Sequence, residues 1–264
     1  MLKAQGISFA YNGSLVIADM SIHCQRGEIV GIIGASGSGK TTALNLFCGY
    51  LKPCSGTIDV NTLRPEQAAS AQQIGYVFQE PTLFPWATVA QNTAMPIELK
   101  PAVSLAHKTE PDGKRFALES GVEIRTKIAL ERAHISTVSH KYPHQLSGGM
   151  KTRVALARAI VYEPRLLLLD EAMTGLDDIV KESLYSVLQQ VVEETQTATV
   201  VVGHDLQEML LLCDRIYVLR KCQDGGPSHI VHCEDTPFKR PRTVELYDDP
   251  RFQMARKRLR LKMA

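Results

Sequence analysis

The sequence predicts an α/β fold built on a parallel β-sheet, and three observations carry that prediction. Continuous apolar runs occur at EIVGIIG (28–34), RLLLLDE (165–171), TVVVGH (199–204) and RIYVLRK (215–221). A strand that is apolar along its whole length is buried on both faces, as parallel-sheet strands are. Segments of helical spacing separate RLLLLDE from TVVVGH and TVVVGH from RIYVLRK, the alternation that builds a parallel sheet. EIVGIIG runs straight into a glycine-rich turn and then a helical segment, TALNLFCGYL (42–51).

The elements follow in chain order. Residues 1–30 alternate apolar and polar positions, with turn breaks at YNGS and QRGE, and predict antiparallel strands. The helix opening at TALNLFCGYL is expected to stop near Lys52-Pro53, because proline lacks the N–H a helix needs. TIDVN and IGYVFQ read as short strands, and from about 87 to 160 the pattern is helical. Within that region KPAVSLAHKTEPDGK is polar and is expected to protrude. The tail RFQMARKRLRLKMA holds six basic residues, with Phe252, Ala255 and Leu259 on one helical face. It reads as a helix packed on the core with its basic side in water; the alternative is contact with anionic lipid or a membrane subunit.

Composition narrows the class. The 264 residues suffice for one large or two small domains, 44% are hydrophobic, and a net charge of +2 gives no argument for nucleic acid. No run nears the roughly 18 apolar residues that would span a bilayer, and MLKAQGISFAY lacks a signal-peptide core. Six scattered cysteines without a CxxC pair read as reduced, mostly buried thiols of a cytosolic protein. Cys222, His229, His232 and Cys233 match no standard zinc spacing and read as part of a polar loop.

The glycine-rich turn, Gly34-Ala35-Ser36-Gly37-Ser38-Gly39-Lys40-Thr41-Thr42, fits G-x-x-x-x-G-K-[ST] between a buried strand and a helix. Glycines let backbone N–H groups curl around a β-phosphate, and the helix N-terminus adds partial positive charge. Lys40 is then placed to bridge the β- and γ-phosphates, and the Thr41 hydroxyl to sit on magnesium. RLLLLDE ends in two carboxylates: Asp170 is a candidate to hold Mg2+, and Glu171 a candidate general base for an attacking water. Gln79 and His204 end two further strands, and the C-terminal ends of parallel strands gather where ligands bind. They are candidates to touch the γ-phosphate, its metal and the water. A lone strand-end histidine is more often structural, so His204 depends on the other groups. LSGGMKTRVALARA (146–159) sets Ser147, Gly148 and Gly149 ahead of a helix and makes a second phosphate-binding shape.

Taken in order, the P-loop, Gln79, LSGG, RLLLLDE, TGLD and His204 resemble the ATP-binding subunits of ABC transporters, over nearly the whole chain from SFAY to about residue 220. The resemblance implies a P-loop NTPase core with a parallel sheet, an antiparallel β subdomain at its N-terminal side and a helical subdomain after the glutamine loop. It divides the chain into an ATPase domain at 1–221, with the helical subdomain at about 87–160, and a C-terminal extension at 222–264. ATP and Mg2+ are the implied cofactors. Tyr11 matches the aromatic residue on which adenine stacks, and Asp177 the loop that communicates between subunits. Two copies would close head to tail, so that LSGG of one caps ATP held by the other; this accounts for two phosphate sites in one chain. Transmembrane permease subunits and an external solute-binding protein are the implied partners, and the cytoplasmic face of the plasma membrane the implied place.

Departures from the family pattern are Met150 and Thr152 for glutamines, Ala172 for proline and Gly175 for alanine; none removes a reacting group. YVFQEPTLFPWATVAQN, YPHQLSGGM and KRPR resemble importers of nitrate, sulfonate, taurine and related organic compounds, although the stretch 101–121 looks longer than theirs; the alternatives are the motor of an exporter or lipid-transport system and a soluble ABC-type ATPase of DNA repair or translation. Phe84, Pro85 and Trp86 read either as local core or, by the resemblance, as the groove for a helix of the membrane subunit.

Overall fold

The structure, a computed structural model, describes residues 1–99, 116–222 and 224–263. Its strands are β1 (Leu2–Tyr11), β2 (Ser14–Cys24), β3 (Ile29–Ile33), β4 (Ser55–Val60), β5 (Ile74–Val77), β6 (Leu166–Asp170), β7 (Ala198–Gly203), β8 (Arg215–Lys221) and β9 (Ser228–Asp235). They form one sheet in the order β4-β1-β2-β9-β8-β3-β7-β6-β5. From β8 to β5 every neighbour is parallel. The β4-β1-β2 end is antiparallel, and β9 joins the two parts, antiparallel to β8 and touching β2 through the single pair Ile17–Ser228.

The apolar runs are continuous because both faces of the parallel strands are covered. Side chains alternate across a strand. Ile29 and Ile33 of β3, Leu167 and Leu169 of β6 and Val201 of β7 enter one core. Val30, Ile32, Leu166, Leu168, Val200 and Val202 enter the other. The second core also holds α1 (Lys40–Phe47), which is sandwiched between the parallel strands and β1-β2 through Ala43, Leu44, Leu46 and Phe47. The first core is filled by α5 (Gly148–Ile160), α6 (Asp178–Thr195) and α7 (Leu206–Leu212). At about 1.5–3 kcal/mol per fully buried aliphatic side chain, a polar residue at any of these strand positions would be strongly destabilising.

Two elements end earlier than their sequence predicts. Helix α1 stops at Phe47 instead of near Pro53, because Gly49 takes φ +78 and turns the chain left-handed. A Cβ at Gly49 would lie 2.6 Å from the Glu66 nitrogen, so only glycine fits where the chain meets α2 (Pro65–Ser70). Strand β5 stops at Val77, leaving Gln79 in a bend beyond it. The helical region contains α3 (Val89–Glu98), capped by reciprocal bonds between Thr88 and Gln91, and α4 (Phe116–Arg132). The expected protrusion, 100–114, lies wholly outside the described residues.

The last helix, α8 (Pro250–Met263), buries Phe252, Ala255 and Leu259 completely and leaves its basic side in water, as its sequence predicts. Strand β9 was not read from the sequence, since its residues are mostly half-buried and carry no alternation to mark it. Among the described residues no His, Cys, Asp and Glu group could hold a metal. His232 instead meets Glu234 at 2.9 Å, and Cys222 meets His229 at 3.6 Å. All six cysteines are free, but only Cys24 and Cys213 are buried; Cys54 and Cys233 are exposed, which corrects the expectation of mostly buried thiols. No described helix is long and apolar enough to cross a membrane.

Candidate functional site

The C-terminal ends of β3, β6 and β7 meet at one edge of the sheet and bring five predicted residues together. After β3 the loop Gly34–Gly39 turns into α1, with Gly37 at φ +75 and Gly39 at φ +91. A Cβ on Gly34 would lie 2.3 Å from the Leu219 carbonyl oxygen of β8, so the loop packs against the sheet only with glycine there. Ala35, Ser36 and Gly37 are exposed at the loop's crest, and Thr42 is half-buried on the first turn of α1. The Ser38 hydroxyl is buried inside the loop without a hydrogen-bond partner.

Lys40 is 5% exposed; its ammonium donates to the carbonyls of Gly34 (3.0 Å) and Ala35 (3.2 Å). It also lies 3.4 Å from Glu171 Oε1. On the other side, Glu171 Oε2 is 3.2 Å from His204 Nδ1, so the carboxylate stands between an ammonium and an imidazole. Glu171 has φ +46, a left-handed conformation costing a non-glycine residue roughly 1–3 kcal/mol. That backbone turn swings its side chain from the end of β6 toward Lys40 and His204. The Glu171 N–H is anchored to the Val202 carbonyl of β7 at 3.2 Å.

The Thr41 hydroxyl donates to Asp170 Oδ1 at 3.1 Å, and the Tyr76 hydroxyl donates to Asp170 Oδ2 at 3.1 Å. Burial raises the Asp170 carboxyl above its ordinary range, and the Thr41 and Tyr76 donors pull it back. Tyr76 escaped the sequence reading. The available signal was its place on β5, paired with Leu168 two residues before Asp170.

The remaining predicted residues lie apart from this cluster. Gln79 is exposed and makes no side-chain hydrogen bond among the described residues. The loop after it is held by Arg158 of α5, which donates to the carbonyls of Pro81 (2.9 Å) and Thr82 (3.0 Å); this tie was also missed. Tyr11, at the end of β1, is 46% exposed and meets Phe9 edge-on, centroids 4.7 Å apart. Ser147 caps α5 by accepting the Met150 N–H at 3.3 Å. A Cβ on Gly148 would lie 3.1 Å from Leu176, and one on Gly149 would run into Val180. The signature helix therefore packs against the start of α6, whose cap is Asp177. No hydrogen bond or ion pair among the described residues joins Ser147–Gly149 to Gly34–Thr42.

Trp86 is 72% exposed, with Phe84 tilted against it at 5.3 Å, which removes the local-core reading of that tryptophan.

A glycine-rich loop between a buried strand and a helix, two carboxylates at a strand end and the LSGG helix on one α/β sheet are the features of an ATP-binding cassette, and the chain belongs to the ABC transporter family, whose pattern matches residues 17–174. It is 34% identical over 246 residues to the nitrate import ATP-binding protein NrtC of Synechococcus elongatus, covering 93% of this chain and 35% of that protein. It is 34% identical over 245 residues to the sulfate/thiosulfate import ATP-binding protein CysA of Halalkalibacterium halodurans, covering 92% of this chain and 64% of that one. The chain thus spans about one to two thirds of the length of these relatives. A dimeric structure of the ATP-binding cassette MJ0796 bound to ADP and Pi superposes with a TM-score of 0.70 at 25% identity, covering 90% of this chain and 100% of that one.

Proposed function

We propose that this chain is the ATP-hydrolysing motor subunit of an importer of a small solute, of the kind its nitrate and sulfate relatives serve. The observation that carries the reading is the pair of contact groups at the C-terminal edge of the parallel sheet, Lys40–Glu171–His204 and Thr41–Asp170, on residues adjacent in the chain.

The residues fit the nucleotide and its metal. The unpartnered Ser38 hydroxyl lies inside the loop Gly34–Gly39, where phosphate oxygens are the acceptors it lacks. Lys40, now on two loop carbonyls, reaches the same space and would neutralise β- and γ-phosphate charge. Thr41 and Asp170, already 3.1 Å apart, would share Mg2+, whose chemistry there is to neutralise charge on the transferring phosphoryl group. Tyr76 orients Asp170 by occupying its second oxygen. Glu171 would take the proton of the attacking water, with His204 positioning its carboxylate; such a base contributes roughly 10²–10⁴ in rate. Gln79 sits on a loop beyond β5 and would reach the metal and water by a movement of that loop. Tyr11 offers an exposed ring for adenine.

Ser147, Gly148, Gly149 and Asp177 form a second surface, joined to no group of their own P-loop. It suits the nucleotide of a second copy of the chain, the arrangement for which a dimeric cassette is the precedent. Residues 1–221 would form the ATPase domain, with 87–160 as its helical part, and 222–264 an extension. Exposed Trp86 and its neighbours are the surface for transmembrane permease subunits, working with an external solute-binding protein at the cytoplasmic face of the membrane. No nucleic-acid partner is proposed.

The test is Mg-ATP binding and turnover by the purified chain. Glu171→Gln should bind normally and lose at least about 10² in turnover, while Lys40→Ala should lose affinity itself. Wild-type turnover in Glu171→Gln, or wild-type affinity in Lys40→Ala, would refute the assignment.

A further inference from the structure

A polar pocket of about 440 Å³ opens at the opposite end of the parallel strands from the P-loop. Its walls come from distant parts of the chain: Gly27 in the turn before β3, Glu193 near the end of α6, Asp214 before β8, and Lys239, Arg240 and Arg242 after β9. Three cations thus face two carboxylates.

The hydrogen bonds decide which charge is left over. Asp214 is engaged through both oxygens: Oδ1 accepts from Arg242 Nη2 at 2.5 Å, and Oδ2 accepts from the Ile29 N–H at 2.8 Å and pairs with Arg240 Nη2 at 3.2 Å. Arg242 is spent as well, its Nε and Nη1 each donating to a carbonyl at 2.9 Å, of Phe238 and Leu212. Arg240 is not. Its Nη2 donates to the Gly27 carbonyl at 2.5 Å, but its Nη1 is buried with no partner. Lys239 is exposed and makes no ion pair among the described residues.

We propose that this pocket binds a small oxyanion, of the size of nitrate, sulfate or phosphate. A buried donor left unpaired costs about 1–3 kcal/mol, and more when it is charged. A carbonyl or a water would satisfy the hydrogen bond alone; an anion also answers the one positive charge left over where three cations face two carboxylates, with Lys239 outside every ion pair among the described residues. The guanidinium presents its N–H groups in a fixed fork that matches the oxygens of such anions. Because the walls combine the core with the segment after β9, the anion would also fasten that segment to the core. This proposal does not depend on the nucleotide reading.

The experiment is amide NMR of the full chain, titrated separately with sodium sulfate, nitrate and phosphate at ionic strength held constant with sodium chloride. The amides of Gly27, Gln196 and Phe238 should shift along a saturable curve, and comparison of the three arms ranks the anions. Lys239→Glu reverses a charge at an exposed position and leaves the fold intact, which its remaining amide shifts verify; it should weaken binding at least about tenfold. Arg240→Gln, which removes the unpaired N–H, should do the same. Shifts confined to Gly34–Thr42 would overturn the proposal. So would pocket shifts that fail to saturate or persist unchanged in Lys239→Glu, since these mean an adventitious ion only.

Discussion

Replacing Glu208 with glutamine should change how the stability of this protein depends on pH. Glu208 lies on α7, four residues after His204, and its carboxyl is pushed up to about 7. Desolvation is the largest cause, the Asp205 carboxylate adds to it, Lys181 opposes it, and Glu171 adds a little. Asp205 cannot move away, because it caps α7 by accepting the N–H groups of Gln207 and Glu208 at 2.7 and 3.3 Å. In the unfolded chain the same carboxyl titrates near 4.5.

The native state therefore holds this proton more tightly than the unfolded state. Its contribution to stability is fully present below about 4.5 and is lost as the pH rises through about 7. At about 1.4 kcal/mol per unit of pKa, the loss over that window is about 3 kcal/mol. Glutamine keeps the shape and one carbonyl oxygen but never ionises. Glu208→Gln should thus gain about 2–3 kcal/mol on wild type between pH 5 and pH 8. Urea unfolding followed by circular dichroism at pH 5, 6, 7 and 8 measures it. Parallel pH profiles for the two proteins would show that Glu208 ionises normally in the native state and would refute the reasoning.

Three further outcomes are expected. Phe252→Ala removes a fully buried ring that contacts Phe238 and Tyr247 at centroid distances of 5.9 and 5.4 Å, and should cost about 3–5 kcal/mol in urea unfolding; a cost below about 1 kcal/mol would mean that α8 is not part of the cooperative core. Trp86→Glu changes an exposed side chain, so stability should stay within about 0.5 kcal/mol and turnover of the isolated chain should be unaffected. Assembly with the permease subunits should fail, and intact assembly in a pull-down would refute the docking role. Glu171→Gln protein should dimerise with Mg-ATP, and adding Ser147→Arg should abolish the dimer while each copy still binds ATP. Light scattering beside a binding assay decides, and loss of ATP binding by the monomer would show that the signature serves its own chain.

The central strands and the phosphate loop were legible in the sequence because what specifies them is local. A strand covered on both faces must be apolar along its length, and Leu166–Leu169 of RLLLLDE and Val200–Val202 of TVVVGH are. A loop that wraps phosphate must place glycines and a lysine at set spacing, and GASGSGKT does so within a few residues. The buried stripe of the last helix was legible for the same reason. What depends on distant segments was not. The early end of α1 comes from the approach of the Pro65–Glu66 backbone to Gly49. The bond from Tyr76 to Asp170 needs β5 beside β6, and the bond from Arg242 to Asp214 needs the segment after β9 folded back against the core. Whether Trp86 was core or surface could not be read either, because an aromatic residue is apolar in both settings and only packing decides its exposure. The separation of LSGG from the P-loop is of the same kind. Each motif has its own local glycine-rich pattern ahead of a helix, but the separation of the two follows from packing α5 against α6 on the far side of the sheet from α1, which no local pattern encodes.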